Sequence, residues 1–325
     1  MTVLITGAGI IGSHTAALLA ARGQSVVLLD LAPAHDAIRT IVDDPRVTVV
    51  AGDVTDVDAL ERLVGEHAVD AIVHTAALLS TAIRKDPLAG IHVNVMGTAN
   101  VLEIARRHAL RRVVLASSAT VGYQAFGDFD GTAFPEDFGM HYLRHRPASI
   151  YVGTKVAGEY LALLYRDLYG VDAVALRYAA VISAWSGPGT SVPGKVLSSL
   201  LLPARRGETA CIDDPFTVWS GGEEFIDARD CARANIAALD ATAPTQGVYN
   251  IGLGSLASFD DFVAAVRLTH PDLQVRLDVQ PAGGFAGFPH VRKAASDISA
   301  AARELGWTPA HPLADAITHY APLLA

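Results

Sequence analysis

Cysteine is almost missing from this chain of 325 residues. Cys211 and Cys231 lie in unrelated contexts, which excludes a disulfide framework and a zinc knuckle. Blocks of like charge are missing too. Lys+Arg number 25 against 34 Asp+Glu, for a formal net charge of −9, and no basic stretch offers a footprint for nucleic acid. Apolar runs are short. Ala16 to Ala21 stops at Arg22, well below the length of a membrane span. The first strand-like run begins at Val3, which leaves no room for a signal core, so a soluble cytoplasmic protein with no membrane partner is expected. Low-complexity segments and repeats of solenoid period are absent from the sequence.

What the chain does have is apolar residues, 51% of the total, enough for a large core. They are arranged in strand-like runs at Val3 to Thr6, Ser25 to Asp30, Val47 to Ala51, Val69 to His74, Arg112 to Ser117 and Ala173 to Arg177. Helical patterns fall at Ser13 to Arg22, Asp56 to Glu66, Ile91 to His108 and Thr154 to Tyr169. Regular alternation of strand and helix predicts right-handed crossovers and an α/β doubly wound parallel sheet of Rossmann type. The rhythm breaks after Tyr178. Residues 183 to 222 carry Gly187-Pro188-Gly189, Pro193-Gly194, Asp213-Asp214-Pro215 and Gly221-Gly222 around a helix at Val196 to Arg206. The pattern returns at Phe225 to Leu239 and Val248 to Ile251, followed by helices near 258 to 269, 296 to 305 and 312 to 320. The expected division is a dinucleotide-binding domain of residues 1–178 and 223–252, with a smaller, mostly C-terminal substrate-binding region of 179–222 and 253–325.

Gly7-Ala8-Gly9-Ile10-Ile11-Gly12 is a G-x-G-x-x-G run between a strand and a helix. The first glycine permits a tight turn, the second lets backbone approach a pyrophosphate, and the third lets helix pack on sheet. Free N–H groups at the helix start then face the anion. Asp30 ends the second strand, placed to accept hydrogen bonds from both ribose hydroxyls and to repel a 2′-phosphate. Leu31-Ala32-Pro33-Ala34 supplies no cation for such a phosphate, so NAD is the expected cofactor rather than NADP. Downstream, Tyr151 and Lys155 stand one helical turn apart. A cation near a phenol favours the phenolate, which suits proton transfer beside a nicotinamide.

Several blocks in order resemble the extended short-chain dehydrogenase/reductase family, in its NAD-dependent epimerase/dehydratase branch. They are the glycine run, Gly52-Asp53-Val54, Asp70 to Ala77, Asn94-Val95-Met96-Gly97-Thr98, Ser117-Ser118-Ala119-Thr120-Val121, Tyr151-x-x-x-Lys155, Arg177-Tyr178, Val248 to Gly252 and Glu304-Leu305-Gly306-Trp307. The resemblance implies roles for matched positions. Asp53 and Val54 would hold the adenine, while Thr75, Ala76, Ala77 and Tyr178 would contact the dinucleotide. Asn94 would order a proton relay, Ser118 would bind the reacting oxygen, and Tyr151 would exchange its proton. Lys155 would bind the nicotinamide ribose and lower the Tyr151 pKa.

Departures from the family pattern bear on substrate. One residue separates Gly7 from Gly9 where the family has two, and Val121-Gly122-Tyr123 inverts the usual Tyr-Gly order. Ala180 stands where nucleotide-sugar enzymes of this branch carry Asn, and Glu223 or Glu224 where they carry Arg. A carboxylate facing a diphosphate would repel it. The expected function is therefore NAD-dependent oxidoreduction of a hydroxyl or carbonyl on a small substrate such as a free sugar or polyol. A sugar or nucleotide-sugar epimerase or dehydratase is the alternative, and a non-catalytic NAD-binding module the second. His141 and His145, in the loop before Tyr151, lack the partners of a metal site, so no metal is expected and the loop reads as solvated. Val156, Tyr160, Leu161, Leu163, Leu164, Tyr165 and Leu168 give the helix at 154 to 169 too broad an apolar surface for one buried stripe, which predicts a homodimer.

Overall fold

Runs that are apolar at every position call for a sheet covered on both faces. Val3 and Ile5 bury on one face with Val26 and Leu28, while Leu4 buries on the other with Val27 and Leu29. The computed structural model describes residues 1–187 and 191–324; Pro188 and Gly189 of the expected loop lie outside them. Seven parallel strands make the central sheet: β1 (Thr2–Thr6), β2 (Ser25–Asp30), β3 (Val47–Ala51), β4 (Val69–His74), β5 (Arg112–Ser118), β7 (Ala173–Tyr178) and β11 (Val248–Ile251). Their spatial order is β3-β2-β1-β4-β5-β7-β11. The chain leaves β1 in one direction to build β2 and β3, then restarts on its other side at β4. This reversal opens a crevice beyond the carboxyl ends of β1 and β4.

Helices cover both faces. They are α1 (Ile10–Ala21), α2 (His35–Arg39), α3 (Val57–Glu66), α4 (Ser80–Lys85), α5 (Pro87–Ile91), α6 (Gly97–Arg107), α7 (Ile150–Tyr169), α8 (Val192–Arg205), α9 (Ala228–Asp240), α10 (Phe259–Arg267) and α11 (Leu313–Tyr320). α1 packs against α9, while α6 packs against α3 and α7. α7 begins four residues before the apolar pattern does. Ser149 accepts a hydrogen bond from the Val152 N–H and caps it, and Gly170 at φ 69° ends it.

The remaining strands pair two by two, all parallel: β6 (Ala133–Phe134) with β13 (Ala295–Ser296), β8 (Ala180–Ile182) with β10 (Phe225–Asp227), and β9 (Ala210–Ile212) with β12 (Val275–Leu277). Phe225 to Asp227 therefore stays out of the central sheet, and the chain re-enters it at β11. Trp219 meets Phe225, Phe259, Phe262 and Phe285 at centroid distances of 5.1–5.9 Å in a separate core with Ile182, Leu200 and Ile317. Arg205 donates to the carbonyls of Ala321 and Leu324, so it ties down the last turn of the chain. Among the described residues no helix is long and apolar enough to cross a membrane.

Candidate active site

The glycine turn is held by its neighbours. Gly7 has φ 92°, and a Cβ there would stand 2.6 Å from the Ala76 nitrogen; one on Gly12 would stand 2.0 Å from the Gly7 oxygen. Thr75 Oγ1 donates to the carbonyls of Thr6 and Gly7 at 2.9 and 3.0 Å, which pins the turn to the end of β4. Gly9 differs, since nothing lies within 4 Å of the place its Cβ would take. No side chain caps α1, and its first turn holds no acidic residue. The N–H groups at the start of α1 are therefore left without a side-chain partner, as an anion-binding helix start requires.

Asp30 is placed as expected at the end of β2, with its Oδ2 accepting from the Ala8 N–H at 2.8 Å and Oδ1 from the Ala32 N–H at 3.0 Å. It braces the turn as well as offering a carboxylate to a ribose. Asp30→Ala is expected to weaken NAD by about tenfold and relax discrimination against NADP, read by titration with both dinucleotides; a parent protein that prefers neither would contradict the ribose argument. Asp53 Oδ1 accepts from the Thr55 N–H at 2.8 Å, and Val54 is buried beneath Gly97, its carbonyl taken by Asn100 Nδ2. Ala76 and Ala77 line the partly buried segment after β4.

At the end of β5, Ser118 Oγ accepts from the Thr120 N–H and hydroxyl at 3.3 and 2.9 Å, which leaves its own proton for the Tyr151 phenol. Burial pushes the phenol up, and the bond to Ser118 pulls it back. The expected lowering by Lys155 is not among the forces on the phenol. The Lys155 ammonium lies 5.9 Å from the Tyr151 ring centroid and donates to the Ala116 carbonyl at 2.7 Å. Burial brings it down to about 8, opposed by Glu159.

Asn94 sits in a π-turn at His92–Met96 and is fully occupied. Its Oδ1 accepts from the Leu78 N–H at 2.8 Å, and Nδ2 donates to the Leu78 carbonyl and to Thr154 Oγ1, both at 3.1 Å. It thus joins the segment after β4 to the catalytic helix. His74 is buried between Thr6 Oγ1 and Thr98 Oγ1, and burial brings it down to about 3.

Three expectations need correction. Tyr178 is buried in the core, where its hydroxyl donates to Asn235 Oδ1 of α9 at 2.6 Å. Glu223 and Glu224 do not confront a diphosphate with free charge. Both are buried around Arg292, whose Nη1 donates to Glu223 Oε1 at 3.0 Å and Nη2 to Glu224 Oε2 at 2.5 Å. Tyr123 points into this node, donating to Glu223 Oε1 at 3.0 Å. The loop before α7 is not wholly solvated either, because His145 is buried with Nε2 against Asp128 Oδ2 at 2.7 Å and Nδ1 accepting the His141 N–H at 3.0 Å.

Glu159 lies outside the motifs, and Ser117 and Arg177 stood within them without a role. Ser117 Oγ donates to Glu159 Oε1 at 2.5 Å, and Arg177 holds the same carboxylate with two bonds of 2.8 Å. A signal existed. Glu159 continues the row of Tyr151 and Lys155 by one more turn, and an acid on a helix face that packs on a sheet requires a partner.

A family model described as the NAD dependent epimerase/dehydratase family matches residues 3–252. UDP-glucose 4-epimerase of Corynebacterium glutamicum is 29% identical, over 96% of this chain and 92% of its own. Among solved structures, a UDP-glucose 4-epimerase of Thermus thermophilus in complex with NAD is 26% identical, with TM-score 0.77 and coverage of 100% and 99% of the two chains. A GalE-like L-threonine dehydrogenase from Cupriavidus necator, in holo form, is 26% identical, with TM-score 0.78 and 100% of both chains covered. On these matches, this chain belongs to the NAD dependent epimerase/dehydratase family and is an enzyme that uses NAD.

Proposed function

We propose that the chain is a sugar epimerase that inverts a secondary alcohol carbon of a nucleotide sugar. The observation that carries the chemistry is the grouping of Ser118, Tyr151 and Lys155 where the end of β5 meets the first turns of α7. When bound, NAD supplies a hydride acceptor and donor at its nicotinamide. Ser118 orients the substrate hydroxyl, Tyr151 exchanges its proton, and Lys155 stands one turn along the helix, where its ammonium can meet the cofactor's ribose. Support for a nucleotide sugar comes from relatives matched along their length that are named as UDP-sugar epimerases. Glu223 and Glu224 are buried and share Arg292, which weakens the objection of like charge.

A second reading, dehydrogenation of a small hydroxy compound, is favoured by one observation. Arg292 is spent on two carboxylates, and Ala180 offers no polar side chain, so neither supports a diphosphate. Incubation with UDP-glucose and UDP-glucuronate, with product analysis and the absorbance of reduced nicotinamide followed together, separates the two. Inversion at C4 without accumulation of NADH is expected. Accumulation of NADH with a polyol or hydroxy acid, and no change in either UDP sugar, would overturn the epimerase reading in favour of the dehydrogenase.

We further propose that two copies associate through α7. Leu161, Leu163 and Tyr165 pack on the sheet side, which leaves Tyr160, Leu164 and Leu168 exposed at 65%, 48% and 66%, with Leu88 and Met96 exposed on neighbouring turns. Light scattering is expected to give a dimer for the parent and a monomer for Leu164→Glu/Leu168→Glu; a monomeric parent would end the proposal.

A further inference from the structure

Neighbouring residues of β5 engage successive turns of α7. The Ala116 carbonyl accepts Lys155 Nζ at 2.7 Å, and Ser117 Oγ donates to Glu159 Oε1 at 2.5 Å. Glu159 is 7% exposed. Its other support comes from the adjacent strand, where Ser117 and Arg177 are register partners between β5 and β7. Partners in register project from the same face, so both side chains rise under α7 and meet one carboxylate. A cavity of ≈ 20 Å³ lies there, lined by Lys155, Glu159, Ser117, Asn94, His74 and Thr98 among others, with room for about one water.

We propose that Glu159 is a positioning residue for the Tyr151 and Lys155 pair, anchoring the catalytic helix to β5 through Ser117 and holding its charge against the Lys155 ammonium. The proposal rests on the assignment of Tyr151 and Lys155 as the proton-transferring pair. A buried ammonium loses hydration and drifts towards its neutral form. The groups near it are His74 from β4 and Tyr151 and Glu159 from α7, with Arg177 of β7 on the far side of the Glu159 carboxylate. His74 is neutral, Arg177 is committed to Glu159, and Tyr151 is protonated, so the Glu159 carboxylate is what favours the charged lysine. Arg177 in turn supplies the two-bonded counter-charge that a buried carboxylate needs. Glu159 therefore acts through Lys155 and touches no reacting atom.

The test reads the lysine itself and needs no substrate. The chain has only four lysines, Lys85, Lys155, Lys195 and Lys293, so lysine-selective 13C labelling gives four Cε resonances to follow against pH, with Lys155 assigned by its loss in Lys155→Arg. In Glu159→Gln the Lys155 midpoint is expected to fall by about one pH unit, with the other three unmoved. Glu159→Gln leaves Arg177 without a counter-charge and could fail to fold; Glu159→Gln/Arg177→Gln strands no charge and is expected to show the same direction of shift. An unmoved midpoint in either folded variant overturns the proposal. Failure of the underlying assignment looks different: Tyr151→Phe would leave turnover intact while the Lys155 midpoint still responded to Glu159→Gln.

Discussion

Tyr151→Phe removes a single oxygen and is expected to cut turnover by about 10²–10⁴-fold, the usual worth of a positioned proton donor or acceptor. NAD affinity should be nearly unchanged. The glycine turn, Asp30 and the first turn of α1 stand on β1 and β2, away from the phenol, and none of their hydrogen bonds involves it. The ring itself stays, so the entry of α7 keeps its packing and its Ser149 cap. Turnover of the substrate selected by the UDP-sugar and hydroxy-compound assay, set beside an NAD titration of the same preparation, checks both halves. Unchanged turnover would remove Tyr151 from the chemistry. Parallel loss of turnover and NAD binding would mean instead that the phenol serves to hold the cofactor.

The second large effect concerns stability. Arg292→Met keeps an unbranched side chain of similar reach but leaves Glu223 and Glu224 buried without a cation. The loss of one member of such a group costs about 3–5 kcal/mol, on the order of 10 °C in melting temperature for a chain of this size. Arg292 holds more than the two acids. Its Nε donates to the Ala294 carbonyl at 2.9 Å and Nη2 to Ser296 Oγ at 2.8 Å, and its guanidinium carbon lies 4.7 Å from the Phe126 ring centroid. Burial already pushes Glu223 up, with Arg292 the largest force pulling it down. Without Arg292 the folded-state pKa rises further above the unfolded value. A carboxyl shifted upward favours the fold below its unfolded pKa and loses that advantage as pH climbs through the folded one. The melting deficit of the variant should therefore shrink as pH falls towards about 4–5, as thermal scans across pH would record. A deficit that stayed constant with pH would show that lost packing, and not stranded charge, explains it.

The central sheet was legible because its physics is local. β2, β3, β4 and β11 run where their apolar stretches predict, since a strand buried on both faces writes its length directly into sequence. Three-residue strands write almost nothing, and β8 and β10 find each other only through the fold. The placing of Tyr151 and Lys155 on successive turns of one helix was equally readable, being a relation between near neighbours in sequence. Arg292 was not, because its carboxylates stand about seventy positions away, at separations of 69 and 68 residues. Glu223 read as an obstacle for that reason: the chain shows an acid, and only the packing shows what answers it. Tyr178 was misplaced by the same limit. Its motif supplies the residue but not the direction of its hydroxyl, which Asn235 decides, itself held by Thr15 of α1.

The separate packing of Trp219 and Trp307 has a practical reach. The chain has three tryptophans; Trp219 is enclosed by phenylalanines beneath α8 and α10, and Trp307 is enclosed against α9, with its indole N–H on the Asp230 carbonyl. With Trp185 replaced by Phe, each remaining indole becomes a fluorescent witness to one core, so emission recorded during denaturation can tell whether the two melt as a single cooperative unit or in succession.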